Sequence, residues 1–335
     1  MSAQAPEAVV MVRPHHFDVN PVTAADNVFQ SAEPNQSPQR AAAAYQETTA
    51  LAEALEAAGV RVHLFEDERT DRPDSAFPNN WLSTHIGGHV AVYPMFAPNR
   101  RLERRQDILD LLKSAYRVQD IIDYSGLEVD GLYLEGTGAM VLDNDERVAY
   151  VARSNRADPI ALERFCTHFG YEPMVFDAVD PSGTQIYHTN VLMCIATDFV
   201  LVGAAMIGPD ERRDEILERL SARGREIIDL SFEQICDFAG NAIELTGTHG
   251  RILAMSGRAE RTLTAAQRAI IERSCRIVAV DVPTIELSGG SVRCMLAGVH
   301  LTPRRSAAAP FPSSAAPGAT ASAEPFEHGV MNASA

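Results

Sequence analysis

Three residues, remote from one another in the chain, carry side chains able to make and break covalent bonds: Glu135 in LEGTG, His188 in IYHTN and Cys294 in GGSVRC. A cysteine attacks carbon as its thiolate and needs a polarised or positive neighbour to become one. A histidine can give a proton to a leaving amine and later take one from water. A glutamate can hold the N–H groups of a substrate and steady a charged histidine. Together the three support Cys-dependent cleavage of a C–N bond. Gly289 and Gly290 let backbone come close to a ligand, and N–H groups near Cys294 can hold a developing oxyanion.

In an extended chain, residues two apart share a face, so His188 and Asn190 should look the same way. Other reactive types have plainer explanations. Cys194 and Cys275 sit in apolar segments and read as core, as do Met140, Met193, Met206 and Met255. His15 and His16 are adjacent, so they diverge on a strand, and no third ligand accompanies them. No metal site is expected. No cofactor is expected either, because no GxGxxG, P-loop or zinc spacing occurs.

The elements that must position these residues show as a repeat. Five segments begin near a Gly, Asn, His or Thr and run into apolar strands. They start at Thr84, Gly136, His188, Gly240 and Gly289. The second, third and fourth contain hairpin punctuation, DNDER, ATD and GTHG. Helix-patterned segments lie between them: Ala41–Ala58, Arg101–Ser114, Pro159–Gly170, Asp210–Arg223 and Thr264–Arg273. A lone hairpin cannot bury its face, but five in a ring can. The expected fold is a single-domain α/β, five-bladed propeller with pseudo-symmetry, its first and last blades closed by the chain ends. Such a ring would gather Asn79, Asn80, Glu135, His188, Asn241 and Cys294 into one pocket.

Composition bounds the partners. The 335 residues carry a formal charge of −16, which disfavours nucleic acid and anionic membranes. The start has no signal-peptide pattern, and Phe199–Ile207, the longest apolar run, is too short to cross a bilayer. Five cysteines without CxxC pairing fit a reduced, cytoplasmic protein. Residues 1–7 are expected to be flexible, 8–305 to form the catalytic domain, and the Ala/Ser/Pro-rich 306–335 to be a disordered tail. A homo-oligomer is compatible with the sequence but not predicted by it.

Over residues 8–305 the chain resembles the guanidino-group-modifying superfamily, whose fold is the five-bladed propeller, or pentein. The family's catalytic acid, histidine and late cysteine match Glu135 in LEGTG, His188 in YHTN and Cys294 in GGSVRCM. The opening MVRPHHFDVNPVTAADNVFQ, with FPNNW, SNR and LEGTG, resembles the citrulline utilisation hydrolases. Arginine deiminases have aspartates, which grip the guanidinium of arginine, where this chain has Asn80 and Asn190. A buried carboxylate suits a cation and is costly opposite a neutral group, whereas asparagine offers both an acceptor and donors. The resemblance therefore implies a neutral ureido substrate, citrulline or a close ureido amino acid.

Cys294 would attack the ureido carbon, His188 would protonate the departing amine and then activate water, and Glu135 would orient the ureido nitrogens. The products would be ornithine, ammonia and carbon dioxide. Arg156 in SNR and Arg101, with Arg100 beside it, match arginines that bind the substrate α-carboxylate. Phe17–Gln30 is expected at the pocket rim. The alternatives are an arginine deiminase or other guanidine hydrolase, an amidinotransferase, and a non-catalytic small-molecule binding protein.

Overall fold

The computed structural model describes residues 4–24, 27, 29–30 and 38–304. Their strands form five separate sheets on one plan: an antiparallel pair, then a third strand parallel to one of the two. Leu82–His85 and His89–Val92 pair antiparallel, and Asp120–Asp123 joins in parallel. Met140–Asp143, Val148–Ala152 and Glu172–Ala178 repeat this, with Ile207–Gly208 added at the edge. Met193–Ile195, Phe199–Val202 and Glu226–Asp229 form the third sheet. Ile243–Gly247, Gly250–Ser256 and Arg276–Val280 form the fourth.

The fifth sheet draws on both ends of the chain. Ala297–Gly298 pairs antiparallel with Ala8–Pro14, which runs parallel to Arg61–Asp67. No hairpin follows Gly289, contrary to the sequence expectation. The chain turns through 292–295 and contributes one short strand, whose partner is the first strand of the protein. The fold is mixed α/β.

Parallel neighbours need a long crossover, and helices supply it. Pro38–Ala57, Gln106–Ala115, Pro159–Phe169, Asp210–Ser221 and Ala265–Glu272 each lie between two parallel strands. The first buries Ala44, Thr48, Leu51, Ala52 and Leu55, spaced to share one helical face. The third is written into its termini. Asp158 accepts from the N–H groups of Ile160 and Ala161, Pro159 opens the first turn, and Gly170 closes the helix in the left-handed region. The helix expected from Arg101 begins later, at Gln106. Pro98–Glu103 is a 3-10 turn, and extended backbone at Arg104 and Arg105 separates the two. That break decides which arginine enters the site.

Residues 4–7 are not a loose end. Gln4 is buried; its amide N–H groups reach the carbonyls of Leu142 (3.0 Å) and Ile195 (2.9 Å), and its oxygen accepts from the Asn144 N–H (2.8 Å). Ala5 and Pro6 accept from Thr246. Three sheets are thus tied by one short stretch, which local sequence could not announce. Gln4→Ala should lower the unfolding free energy by about 1–3 kcal/mol, because it leaves buried carbonyls unpaired; denaturant titration reads this directly. The tail expected from residue 306 lies outside the described residues. Among the described residues, no helix is long and apolar enough to cross a membrane.

Candidate active site

Each sheet is preceded by a tight turn, and the turns carry the reactive side chains. Pro78–Asn80 is a 3-10 turn just before the Leu82 strand. Glu135 precedes the single helical turn Gly136–Ala139, which leads into the Met140 strand. His188 precedes a similar turn, Thr189–Leu192, before the Met193 strand. Asn241 stands two residues before Ile243, and Cys294 three before Ala297. His188 and Asn190 therefore do not share the face of an extended strand as expected, since Asn190 lies inside a helical turn.

The turns lock together closely. Thr189 Oγ1 donates to the Ala139 carbonyl (2.6 Å) and accepts from the Ala152 N–H (2.8 Å). At Gly138 a side chain has no room, since a Cβ would fall 2.2 Å from the Asn80 amide and 2.9 Å from the His188 ring.

Glu135 is fully buried, and both of its oxygens are engaged. Oε1 accepts from the Phe96 N–H (3.0 Å). Oε2 lies 2.9 Å from His188 Nε2, 3.5 Å from Arg156 and 3.7 Å from Arg100. Burial alone would raise its pKa, but Arg156, the His188 hydrogen bond and Arg100 outweigh burial and hold it below the usual carboxylate range. A carboxylate only accepts, so His188 Nε2 carries the proton and Nδ1 is left with a lone pair. Burial pushes His188 down to about 4, with Glu135 pulling the other way and the two arginines adding to the fall. The His188 imidazole is thereby kept in its neutral form at physiological pH. Glu135 holds this imidazole through Oε2, the second of the two roles its type suggests.

Cys294 is 3% exposed, and two amides converge on its sulfur. Asn190 Nδ2 and Asn241 Nδ2 each donate to Sγ at 3.3 Å. Asn241 also donates to the Asn190 carbonyl (3.0 Å), so it ties the Cys294 sulfur to that turn. Asn190 Oδ1 is buried without a hydrogen-bond partner among the described residues, as is Asn79 Nδ2. By contrast, burial pushes the Cys194 thiol up to about 12, in keeping with a core role. The four methionines expected in the core are buried.

The neighbouring arginines part here: Arg100 lies among the buried acids and Arg101 at their edge. Arg100 is 3% exposed and grips Glu103 with two bonds of 2.9 Å, with Asp74 at 3.6 Å. The Asn80 amide turns its oxygen to Arg100 (3.0 and 3.1 Å) and its nitrogen to Asn79 Oδ1 (3.2 Å). Arg101 points elsewhere, toward the carbonyls of Met95 and Phe96 and toward Glu128 (3.4 Å). Arg156 is buried, with its guanidinium 4.7 Å from the centre of the Tyr187 ring.

Asp74, Glu103 and Tyr187 were not singled out in the sequence. For Glu103 the signal was its spacing of three from Arg100. The N-terminal segment does reach this region. Asn20 Nδ2 donates to Asp74 (2.7 Å), and Asn27 Nδ2 donates to the Ser288 carbonyl (3.0 Å). Tyr187 OH donates to the carbonyl of Gly289, whose φ of +78° places it in the left-handed region. Among the described residues, no group of three or more His, Cys, Asp or Glu could hold a metal.

Comparison with known proteins places this geometry in a family. The family model "N,N dimethylarginine dimethylhydrolase, eukaryotic" matches residues 13–301. No curated protein matched the chain. Among solved structures, the N-terminal domain of ArgZ is similar; it is a Cys-to-Ser variant bound to substrate, from an arginine dihydrolase of the ornithine–ammonia cycle in cyanobacteria. Its TM-score is 0.68 at 16% identity, covering 87% of this chain and 97% of that one. A Cys-to-Ala variant of AgrE with L-arginine gives 0.70 at 16% identity, over 89% of this chain and 40% of that one. A dimethylarginine dimethylaminohydrolase, as a His-to-Gly variant carrying an S-methyl-L-thiocitrulline adduct, gives 0.60 at 15%, over 88% and 99%. The chain belongs to the N,N dimethylarginine dimethylhydrolase family, within the guanidino-modifying pentein superfamily of hydrolases that act on C–N bonds.

Proposed function

We propose that the protein hydrolyses the ureido group of citrulline or a close ureido amino acid, with Cys294 as nucleophile. The five sheets would then be the blades of a propeller, with the site turns at one end. One observation carries the substrate reading: the two side chains on the Cys294 sulfur are asparagine amides, and Asn190 keeps a buried oxygen in reserve. A ureido N–H suits that oxygen. A guanidinium at the same place would find Glu135 already bonded to His188 and beside two arginines.

The thiol proton of Cys294 passes to neutral His188 as sulfur bonds to the ureido carbon. The carbonyl electrons move to oxygen, where Asn190, Asn241 and backbone N–H groups are the available donors. The C–N bond then breaks, with the proton going from His188 to the leaving nitrogen. Water, deprotonated by His188, attacks the Cys-bound carbamoyl group and frees the thiol. Citrulline and one water give ornithine, ammonia and carbon dioxide. Arg156 and Arg101 are the candidates for the α-carboxylate.

A second reading, an arginine-acting hydrolase, draws on a different observation. Among the described residues, Asp74, Glu103 and Glu135 are buried around Arg100 and Arg156, and a further cation would oppose the burial that raises Asp74 and pushes Glu103 up to about 7. ArgZ, of similar fold, is named as an arginine dihydrolase. Purified protein given citrulline or arginine separately distinguishes the two. Ornithine and ammonia from citrulline, with arginine much slower, is the expected result; comparable or faster use of arginine favours the second reading.

Because free His188 is held near 4, kcat/KM should stay level from neutral pH down to about 5. It should fall only as the imidazole takes a proton. A limb at the ordinary histidine value of about 6.5 would remove His188 from this role.

A further inference from the structure

The turn that presents Cys294 is built on Ser291. The Cys294 N–H donates to the Ser291 carbonyl (2.9 Å), and the Met295 N–H reaches the same oxygen (3.3 Å). The Ser291 hydroxyl reaches back along the chain, where Oγ donates to Glu286 Oε1 (2.8 Å). Both residues are buried, at 0% and 4% exposure. Glu286 closes the short helical turn Pro283–Glu286, and its carbonyl accepts from the Gly289 N–H (3.0 Å).

Two glycines lie between Glu286 and Ser291, and neither has room for a side chain. A Cβ on Gly290 would fall 3.2 Å from the Cys294 Cβ and 3.0 Å from the Phe77 ring; one on Gly289 would fall 2.4 Å from Asn27 Oδ1. Glycine permits this close approach but leaves the backbone free to follow other paths. Hydrogen bonds must therefore fix the path. Asn27 holds the Ser288 carbonyl, Tyr187 the Gly289 carbonyl, and the Glu286 carboxylate the Ser291 side chain.

A carboxylate in this place is costly to bury. Its nearest cation, Arg258, is half exposed and stands 3.8 Å from Oε2. Burial raises the Glu286 carboxyl, and the Ser256 and Ser291 hydroxyls and Arg258 pull it back toward the charged form. A leucine would avoid that cost but would offer Ser291 no acceptor.

We propose that Glu286 is a positioning residue, whose bond to Ser291 sets the turn that holds the Cys294 sulfur in line with the Asn190 and Asn241 amides. The proposal rests on the reading of Cys294 as nucleophile. The bond involves neither His188 nor Arg100 nor Arg156, so its loss should act on kcat and leave KM nearly unchanged.

The test is steady-state kinetics on the full-length protein, with whichever of citrulline and arginine the native protein turns over. Glu286→Leu and Ser291→Ala should each lower kcat by roughly 10- to 100-fold, the scale of a misplaced reacting group. Glu286→Gln keeps an oxygen acceptor and should restore most of that loss. The Glu286→Leu, Ser291→Ala double variant should be no worse than the worse single one, because both remove the same bond. If Glu286→Leu does not fold, Ser291→Ala and Glu286→Gln carry the test. A native kcat in Ser291→Ala, a loss in Glu286→Gln as large as that in Ser291→Ala, losses that multiply in the double variant, or a change confined to KM overturns the proposal. A Cys294→Ala protein that still turned over substrate would sink the nucleophile reading separately.

Discussion

Replacing Cys294 by Ala should abolish hydrolysis of every ureido and guanidino compound, by a factor on the order of 10⁶, the scale seen when a covalent nucleophile is removed. No other cysteine can stand in. Cys166, Cys194 and Cys275 are buried, with burial raising each thiol, and Cys236 lies outside the set of turns that holds Glu135, His188 and Asn241. The fold should survive, because the exchange removes one sulfur and leaves Asn241 its bond to the Asn190 carbonyl. Steady-state assays on protein with unchanged circular dichroism read both halves of this expectation. Residual turnover within about a hundredfold of native would transfer the chemistry to another group.

The next largest effect is expected at Asn190. Asn190→Asp sets a carboxylate where an amide now donates to the sulfur at 3.3 Å. It removes a hydrogen bond to the developing charge and opposes the thiolate with a like charge. With a neutral ureido substrate nothing offsets this, so kcat/KM for citrulline should fall by roughly 10²–10³. An arginine headgroup brings its own positive charge, so the ratio of arginine to citrulline turnover should rise at least about tenfold. Asn80→Asp should change that ratio far less. Its new carboxylate would meet the Arg100 guanidinium, now 3.0 and 3.1 Å from the amide oxygen, and be neutralised there. The two asparagines looked equivalent in the sequence; their surroundings make them different.

What could be read in advance was local, and what could not was long-range. Glu135, His188 and Cys294 stand in short turns whose glycines and apolar continuations are visible in ten residues. Three of the hairpins carry their own punctuation. The crossover helices follow from apolar spacing, and the Pro159–Phe169 helix also from its cap. The phase of a 3-10 turn is not visible in this way. Whether Arg100 or Arg101 points inward depends on where Pro98–Glu103 ends and Gln106 begins. That the chain ends would meet was expected, but not which strands pair, because pairing of residues 8–14 with 297–298 is a contact almost three hundred residues apart in sequence. Gln4 was missed for the same reason. It matters through groups contributed by other sheets and sits in no motif.

The central claim is a carbamoyl group on Cys294, and its most direct test is chemical. Protein turning over citrulline is quenched in acid within milliseconds, digested and mapped by mass. The account predicts a carbamoyl adduct on the peptide carrying Cys294, absent from the Cys294→Ala protein. Contradiction would come from ornithine release while Cys294 stays unmodified throughout, or from an adduct that forms only with arginine and carries an amidino group instead.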